Sequence, residues 1–274
     1  MRDVNVLIMS GFGLNCDTET AYAFELAGAK TQCVHINSLI NGSAHLEDFQ
    51  ILVFIGGFSW ADDHGAGVIQ AIRLKTNIGD KILEFVDGGN LVLGICNGFQ
   101  ALVNLGLLPG FDQDYTRRSV ALTINDCGNF RDQWVYLKSN PASPCVFTRG
   151  IDRAELPVRH GEGKFYADEA TLACLAATNQ IVLQYAMPDG NLAERRFPCN
   201  PNGSLLDIAG ICDPTGRIFG LMPHPEAYNH WTNHPDWTRV KEAAIRQNRR
   251  LDTGPTVGIQ MLQNAVDYIR KGKY

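Results

Sequence analysis

Residues 91–100, LVLGICNGFQ, carry the clearest indication of the fold class. Leu91–Ile95 is a short apolar run bounded by turn residues, which is typical of a strand buried on both faces. A short helix to Leu105 follows at once. A buried strand leading directly into a helix indicates an α/β fold, with a parallel sheet covered by helices.

The first hundred residues repeat this alternation of strands and helices. The predicted strands are Val4–Met9, Thr31–Ile36 and Ile51–Ile55, and the predicted helices are Thr20–Ala27 and Val68–Val86. The expected architecture is an open, mostly parallel sheet flanked by helices. Sheets of this kind place their sites at the carboxyl ends of the strands.

The second half of the chain predicts a smaller antiparallel part. Ser119–Asn125 and Gln133–Lys138 are expected to pair through a turn at residues 126–129, and Met187–Ser204 is expected to be a long surface loop. Further strands are predicted at Ile181–Tyr185 and Ile218–Met222, and a final amphipathic helix at Ile259–Ile269. No repeat or linker interrupts the pattern, so residues 1–274 are predicted to form a single domain.

Composition excludes several classes of partner. The chain has 274 residues, 45% of them hydrophobic, and a formal net charge of −5. That charge gives no electrostatic reason to expect nucleic acid or an anionic membrane. The apolar run near the N-terminus is too short for a signal peptide. Eight cysteines occur singly, without a CxxC pair, so reduced thiols and a cytoplasmic location are expected.

Cys96 is the strongest candidate for a nucleophile. It lies between Gly94 and Gly98 at a predicted strand-to-helix turn, where small neighbours two residues away let a tight elbow close. The helix N-terminus that follows favours a thiolate. The alternative is a buried cysteine beside two glycines that merely end a strand.

His224 and Glu226 are candidates for a base and its orienting carboxylate. They follow the predicted strand Ile218–Met222, and Pro225 after the histidine favours an extended backbone. Residues two apart in an extended chain point the same way. Glu226 could therefore orient the imidazole of His224 as the third member of a catalytic triad.

Gly56 and Gly57 end the strand Ile51–Ile55. Glycines at this place let backbone N–H groups approach a substrate oxygen closely, as an oxyanion hole requires. With a nucleophile and a base at other strand ends of the same sheet, the three groups indicate acyl transfer from an amide or ester.

Five segments carry a more specific resemblance: GGFSWADDHGAG (56–67), GICNGFQ (94–100), RHGEGKFYAD (159–168), NPNGSLLDIAGICDPTG (200–216) and LMPHPE (221–226). Together they resemble the glutaminase part of phosphoribosylformylglycinamidine synthase, a triad (class I) glutamine amidotransferase of purine biosynthesis. The similarity runs over nearly the whole chain and implies a class I, flavodoxin-like fold. The chain departs from the usual family residues at Ala61, where glycine is common, and at Ala227, where arginine is.

The resemblance implies a role for each matching residue. Cys96 would form a γ-glutamyl thioester, with His224 and Glu226 as base and orienter. The N–H groups of Gly57 and Asn97 would hold the oxyanion, beside Gly56. Three further residues, Gln100, His160 and Gly161, would contact or close over the bound glutamine.

The resemblance also implies partners. Besides L-glutamine, these are a separate synthetase subunit that uses ATP and Mg²⁺ to activate formylglycinamide ribonucleotide, and a small accessory subunit. The sequence has no G-x-x-x-x-G-K-[ST] segment, so ATP chemistry is not expected here. No cofactor and no metal are expected in this chain. Three alternatives remain: the glutaminase of another amidotransferase, a cysteine hydrolase of similar topology, and a non-catalytic regulatory subunit.

Overall fold

The computed structural model of the protein describes residues 3–272. The strands of this part are β1 (Asn5–Ser10), β2 (Lys30–His35), β3 (Ile51–Phe54), β4 (Leu91–Ile95), β5 (Ala121–Ile124), β6 (Arg131–Ser139), β7 (Arg153–His160), β8 (Glu162–Tyr166), β9 (Ile181–Ala186), β10 (Ile208–Cys212) and β11 (Ile218–Leu221). The α-helices are α1 (Asp17–Leu26), α2 (Ile36–Ile40), α3 (Val68–Asp87), α4 (Asn97–Leu105), α5 (Glu169–Ala177), α6 (Trp237–Arg246) and α7 (Val257–Arg270).

One nine-stranded sheet of order β2-β1-β3-β4-β11-β10-β9-β6-β7 forms the centre of the fold. The first five strands in this order are parallel, and the remaining four pair antiparallel. The parallel part has the flavodoxin-like order, with β11 as its fifth strand. The predicted α/β fold, with a smaller antiparallel part in the second half, is therefore confirmed.

The direction of the crossovers places helices on both faces of the parallel part. The connection through α1 runs from β1 to β2, whereas the later connections through α2, α3 and α4 run the other way across the sheet. Because such crossovers are right-handed, the two directions put the helices on opposite faces. In agreement, α3 packs against α2 and α4, and α1 packs against α7. Every residue of β3, β4 and β11 is consequently buried.

The predicted pairing of residues 119–125 with 133–138 is wrong. The first segment forms β5, which pairs with β8 in a separate two-stranded sheet, and the second forms β6, which pairs with β7 and β9. At the expected turn, the N–H of Asp126 instead donates to the carbonyl of Asn202. Alternation of apolar residues identifies a strand, but it does not identify the strand's partner.

The predicted surface loop 187–204 ends in a buried polar segment. Asn200, Asn202 and Ser204 are almost fully buried. Asn202 donates to the carbonyl of Gly163 at 2.8 Å, and Ser204 Oγ accepts from the N–H of Phe165 at 2.9 Å. These bonds fasten the segment to β8, so its polar composition reflects internal hydrogen bonding rather than exposure.

Among residues 3–272, none of the helices combines the length and the apolar composition that crossing a bilayer demands.

Candidate active site

Four parallel strands direct the candidate residues to one edge of the sheet. β1 leads to Cys16, β3 to Gly56 and Gly57, β4 to Cys96 and β11 to His224. The four strands are neighbours in the order β1-β3-β4-β11. Because the carboxyl ends of parallel strands lie at the same edge, residues distant in sequence meet here.

Cys96 occupies the strained elbow that its flanking glycines predict. Its φ is 51° and its ψ −107°, a region that non-glycine residues adopt at a cost of about 1–3 kcal/mol. A Cβ on Gly98 would lie 1.9 Å from the carbonyl oxygen of Phe54, so only glycine lets α4 approach β3 this closely. The Cys96 thiol is buried and lies 3.6 Å from the carbonyl oxygen of Arg159.

His224 and Glu226 form a buried hydrogen-bonded pair. Nδ1 of His224 lies 2.6 Å from Oε1 of Glu226, and neither side chain is more than 2% exposed. The N–H of His224 donates to the carbonyl of Pro157 in β7, which fixes the backbone entering the pair. The structure thus brings the two residues together as their spacing predicts.

Several groups act in opposite directions on the pKa of His224. Burial alone would lower it, but the charge of Glu226, followed by that of Cys96, raises it well above its ordinary value. A strongly basic imidazole can take a proton from a thiol and keep it until a leaving group needs it.

Gly57 and Asn97 present backbone N–H groups at neighbouring strand ends. Asn97 is the first residue of α4, and the first N–H groups of a helix have no partner within it. Gly57 has a φ of 141°, and a Cβ there would lie 2.8 Å from the carbonyl oxygen of Gly13. Within residues 3–272, the N–H of Gly57 has no acceptor. Both donors are therefore available to a substrate oxygen.

Gly56 lies directly against the imidazole of His224. A Cβ at this position would lie 2.7 Å from Cε1 of His224 and 3.2 Å from Sγ of Cys16. Its backbone does not need the left-handed region. Only glycine leaves room here, because the imidazole of His224 packs directly against its Cα.

Gln100, His160 and Gly161 meet at the turn between β7 and β8. Nε2 of Gln100 donates to the carbonyl of Glu162 at 2.6 Å, and the N–H of Asn125 donates to the carbonyl of Gly161 at 3.0 Å. This turn lies beside the nucleophile, because Cys96 contacts the carbonyl of Arg159 directly before it.

Asn125 determines the tautomer of His160. Its amide nitrogen donates to the carbonyls of Asn129 and His160, so its amide oxygen is the acceptor that faces His160 Nδ1 at 3.1 Å. Burial, followed by the charge of His224, lowers the pKa of His160 to about 3. The ring is therefore neutral with the proton on Nδ1. Its Nε2 is a buried acceptor without a partner among the described residues.

Sequence reasoning missed Cys16, Asp62 and Asn125. Cys16 lies close enough to the triad that its sulfur and polar atoms of His224 and Glu226 are all within 4.8 Å of one another. Burial raises the pKa of the Cys16 thiol. Three such donors could hold a metal ion, but two of them, His224 and Glu226, already bond to each other. No local sequence signal marks Cys16 or Asn125, and Asp62 lies in the segment 56–67 that carries the family resemblance.

Comparisons with known proteins identify the family of the chain. Residues 3–269 match the family described as the CobB/CobQ-like glutamine amidotransferase domain. The chain is 47% identical over 266 residues to phosphoribosylformylglycinamidine synthase subunit PurQ of Methanococcus maripaludis, with 97% of each chain covered. It is 48% identical over 237 residues to the protein of the same name from Dehalococcoides mccartyi, covering 86% of this chain and 90% of that protein.

Solved structures give the same result. A chain of PurLQS from Thermotoga maritima is 26% identical with a TM-score of 0.68, covering 98% of this chain and 100% of that one. A putative GMP synthase protein from Thermoplasma acidophilum, 12% identical with a TM-score of 0.53, covers 100% of both chains and shares the fold. The chain therefore belongs to the CobB/CobQ-like glutamine amidotransferase family, and within it to the PurQ subunits of phosphoribosylformylglycinamidine synthase.

Proposed function

We propose that this chain is the glutaminase subunit of phosphoribosylformylglycinamidine synthase. It hydrolyses L-glutamine to glutamate and ammonia and delivers the ammonia to a synthetase subunit, which converts formylglycinamide ribonucleotide to formylglycinamidine ribonucleotide. The observation that carries the proposal is the strained Cys96 elbow beside the buried His224–Glu226 pair. The identity of 47% to the relative named above supports the choice of this synthase.

Cys96 and His224 perform the first half of the reaction. His224 takes the proton of the Cys96 thiol, and the sulfur attacks the carboxamide carbon of glutamine. The N–H groups of Gly57 and Asn97 stabilise the oxyanion that forms. The C–N bond then breaks, His224 gives its proton to the leaving nitrogen, and ammonia departs from a γ-glutamyl thioester.

Water completes the cycle. His224 takes a proton from a water molecule, and the resulting hydroxide attacks the thioester carbon. The C–S bond breaks, His224 returns the proton to the sulfur, and glutamate leaves. Glu226 keeps the imidazole oriented in both steps.

Glutamine is bound at the turn between β7 and β8. His160, with its neutral Nε2 fixed as an acceptor by Asn125, offers a site for an N–H donor of the substrate, and a free amino acid supplies such donors in its α-ammonium group. Gln100 and Gly161 shape the same turn. These roles rest on placement beside Cys96 and on the family resemblance.

The partners are two other subunits, the synthetase and a small accessory protein, in agreement with the similarity to the PurLQS structure. The glutaminase reaction needs no cofactor or metal in this chain, because the triad and two N–H donors supply every proton and charge it requires; ATP and Mg²⁺ are used by the synthetase. The chain acts as one domain, which the match over residues 3–269 supports. Its eight cysteines are free thiols, which supports a cytoplasmic location.

The test is glutamate release from glutamine, with wild-type protein and Cys96→Ala, in isolation and with synthetase, accessory protein, ATP and formylglycinamide ribonucleotide. Release that depends on Cys96 and rises with the partners is expected. The variant complex should still make product from added ammonia. Glutamine-dependent synthesis that survives in Cys96→Ala would contradict the proposal and favour a regulatory subunit.

A further inference from the structure

The segment after Gly57 is held in a strained conformation. Trp60, Ala61, Asp62 and His64 have φ values of 52°, 56°, 55° and 62°. Each left-handed residue other than glycine costs about 1 kcal/mol or more. Such a run persists only where the surrounding structure fixes it, so the contacts that fix it control where Gly57 lies.

Asp62 makes the contact that links this segment to the nucleophile helix. Oδ1 of Asp62 accepts a hydrogen bond of 3.0 Å from Nδ2 of Asn97. Asn97 is completely buried and is the residue whose backbone N–H completes the oxyanion hole. One side-chain bond therefore joins the two segments that supply the two oxyanion donors.

Further hydrogen bonds close this link into a ring. Gln100 Nε2 donates to the carbonyl of Glu162, and Oε2 of Glu162 accepts from the N–H of Ala66 at 3.2 Å. Ala66 lies four residues after Asp62, so the chain returns to its starting segment. The ring ties together the oxyanion segment, the start of α4 and the β7–β8 turn.

We infer that Asp62 is a positioning residue for the oxyanion hole: through its bond to Asn97 it sets the distance between the N–H groups of Gly57 and Asn97. This inference rests on the proposed glutaminase function. It concerns a residue whose side-chain hydrogen bond is to Asn97 and to none of Cys96, His224 and Glu226.

The hydrogen-bond geometry of Asp62, rather than its charge, performs this task. Burial and the charge of Glu162 raise the pKa of Asp62 to about 6, against the lowering effect of the Asn97 bond. The surroundings thus oppose the charged form. An asparagine at this position would keep an oxygen for Asn97 and would add an N–H donor toward Glu162.

The variants follow from this distinction. Asp62→Ala removes the acceptor, Asp62→Asn keeps it, and Asp63→Asn removes a charge from an exposed neighbour in the same segment. All are assayed as glutaminase in the complete complex. Asp62→Ala is expected to lower kcat about 10- to 100-fold, because small misplacements of catalytic groups have effects of this size. KM for glutamine should stay within about 2-fold, since oxyanion contacts act in the transition state.

Asp62→Asn is expected to retain kcat within about 3-fold, because the asparagine keeps an oxygen for Asn97. The kcat of Asp63→Asn should equal that of the wild type, because Asp63 is exposed. Asn97→Ala should lose about as much as Asp62→Ala, and the double variant no more than either, as for two residues that act through one bond. Alkylation of Cys96 by iodoacetamide, followed by peptide mapping, should proceed at the wild-type rate in Asp62→Ala, because this reaction needs no oxyanion hole. That rate also shows that the elbow remains folded.

Three results would overturn the inference. A raised KM with unchanged kcat in Asp62→Ala would make Asp62 a substrate contact. Equal losses of kcat in Asp62→Ala and Asp62→Asn would assign the effect to the charge of Asp62, and full activity of Asp62→Ala would show that Asp62 has no role. Failure of the proposed function would be a separate result, because it would appear as absent or Cys96-independent glutamate release in the comparison of wild type with Cys96→Ala.

Discussion

Nδ1 of His224 lies 2.6 Å from Oε1 of Glu226. One residue separates the two in sequence, and both side chains are buried. Burial deprives a carboxylate of its hydration, and the hydrogen bond to the imidazole compensates for part of that loss. The pair therefore acts as one unit that holds the imidazole in a single orientation.

Glu226→Gln should lower kcat by at least about 100-fold, since loss of the orienting carboxylate is costly in triads. The pKa of His224 should fall as well, because the charge of Glu226 raises it. Histidine resonances followed by NMR from pH 5 to 9 measure this pKa. Glu155→Gln is the matched control: its carboxylate lies 3.1 Å from His234, outside the site. An unchanged His224 titration in Glu226→Gln would contradict the assignment.

Gly56→Ala should lower kcat by about 100-fold while leaving the protein folded. The added Cβ would overlap the imidazole of His224, which must move away from Cys96, and shifts of about 1 Å have effects of this size. Gly79→Ala in α3 is the control, because its Cβ meets nothing closer than 3.9 Å. Thermal unfolding and glutaminase assays of both variants check the prediction. Wild-type kcat in Gly56→Ala would show that the imidazole does not need this space.

Asp62→Asn should stabilise the protein at neutral pH. The pKa of Asp62 is raised from 3.8 to about 6 in the folded state. Below about pH 4 the carboxyl is protonated in both the folded and the unfolded state and does not reduce the free energy of unfolding. As the pH rises toward about 6, the unfolded state loses its proton first and the wild type loses stability. Two pKa units correspond to about 3 kcal/mol, which solvent around this half-buried group reduces to about 1 kcal/mol. Urea unfolding should show this advantage at pH 7.5 and a smaller one at pH 5. A stability difference between Asp62→Asn and wild type that does not depend on pH would show that the raised pKa of Asp62 is not its cause.

Ala61→Gly should raise stability by up to about 1 kcal/mol. Ala61 has a φ of 56°, a conformation that glycine adopts without penalty, and glycine is the usual family residue here. Ala142→Gly, at an exposed position without positive φ, should be neutral or destabilising. Urea unfolding compares the two variants. A loss of stability in Ala61→Gly would indicate that the left-handed backbone at residue 61 does not cost the wild-type protein stability.

Local sequence signals were sufficient for the backbone at Cys96, the contact between His224 and Glu226, and the parallel strands. The elbow at Cys96 and the paired orientation of His224 and Glu226 follow from neighbouring residues, because proline and glycine restrict the backbone directly. The apolar strand Leu91–Ile95 is likewise evident from a run of consecutive residues.

Long-range pairing could not be predicted in the same way. β5 resembles a hairpin arm, yet its partner β8 begins about forty residues later. Asn125 orients a histidine 35 residues away, and Asp62 bonds an asparagine 35 residues away. Such contacts depend on the sheet order and not on local composition, so Cys16, Asp62 and Asn125 appear as site residues only in three dimensions.

The nucleophile can be identified with a glutamine analogue that carries a diazo ketone in place of the carboxamide, because this group alkylates the nucleophile that attacks it. The complete complex is treated with this analogue and its peptides are mapped by mass spectrometry. Labelling of Cys96, competed by glutamine and absent in Cys96→Ala, is the predicted result. Glutamine hydrolysis that continues after labelling of Cys96, or labelling of Cys16 instead, would contradict the assignment of the nucleophile.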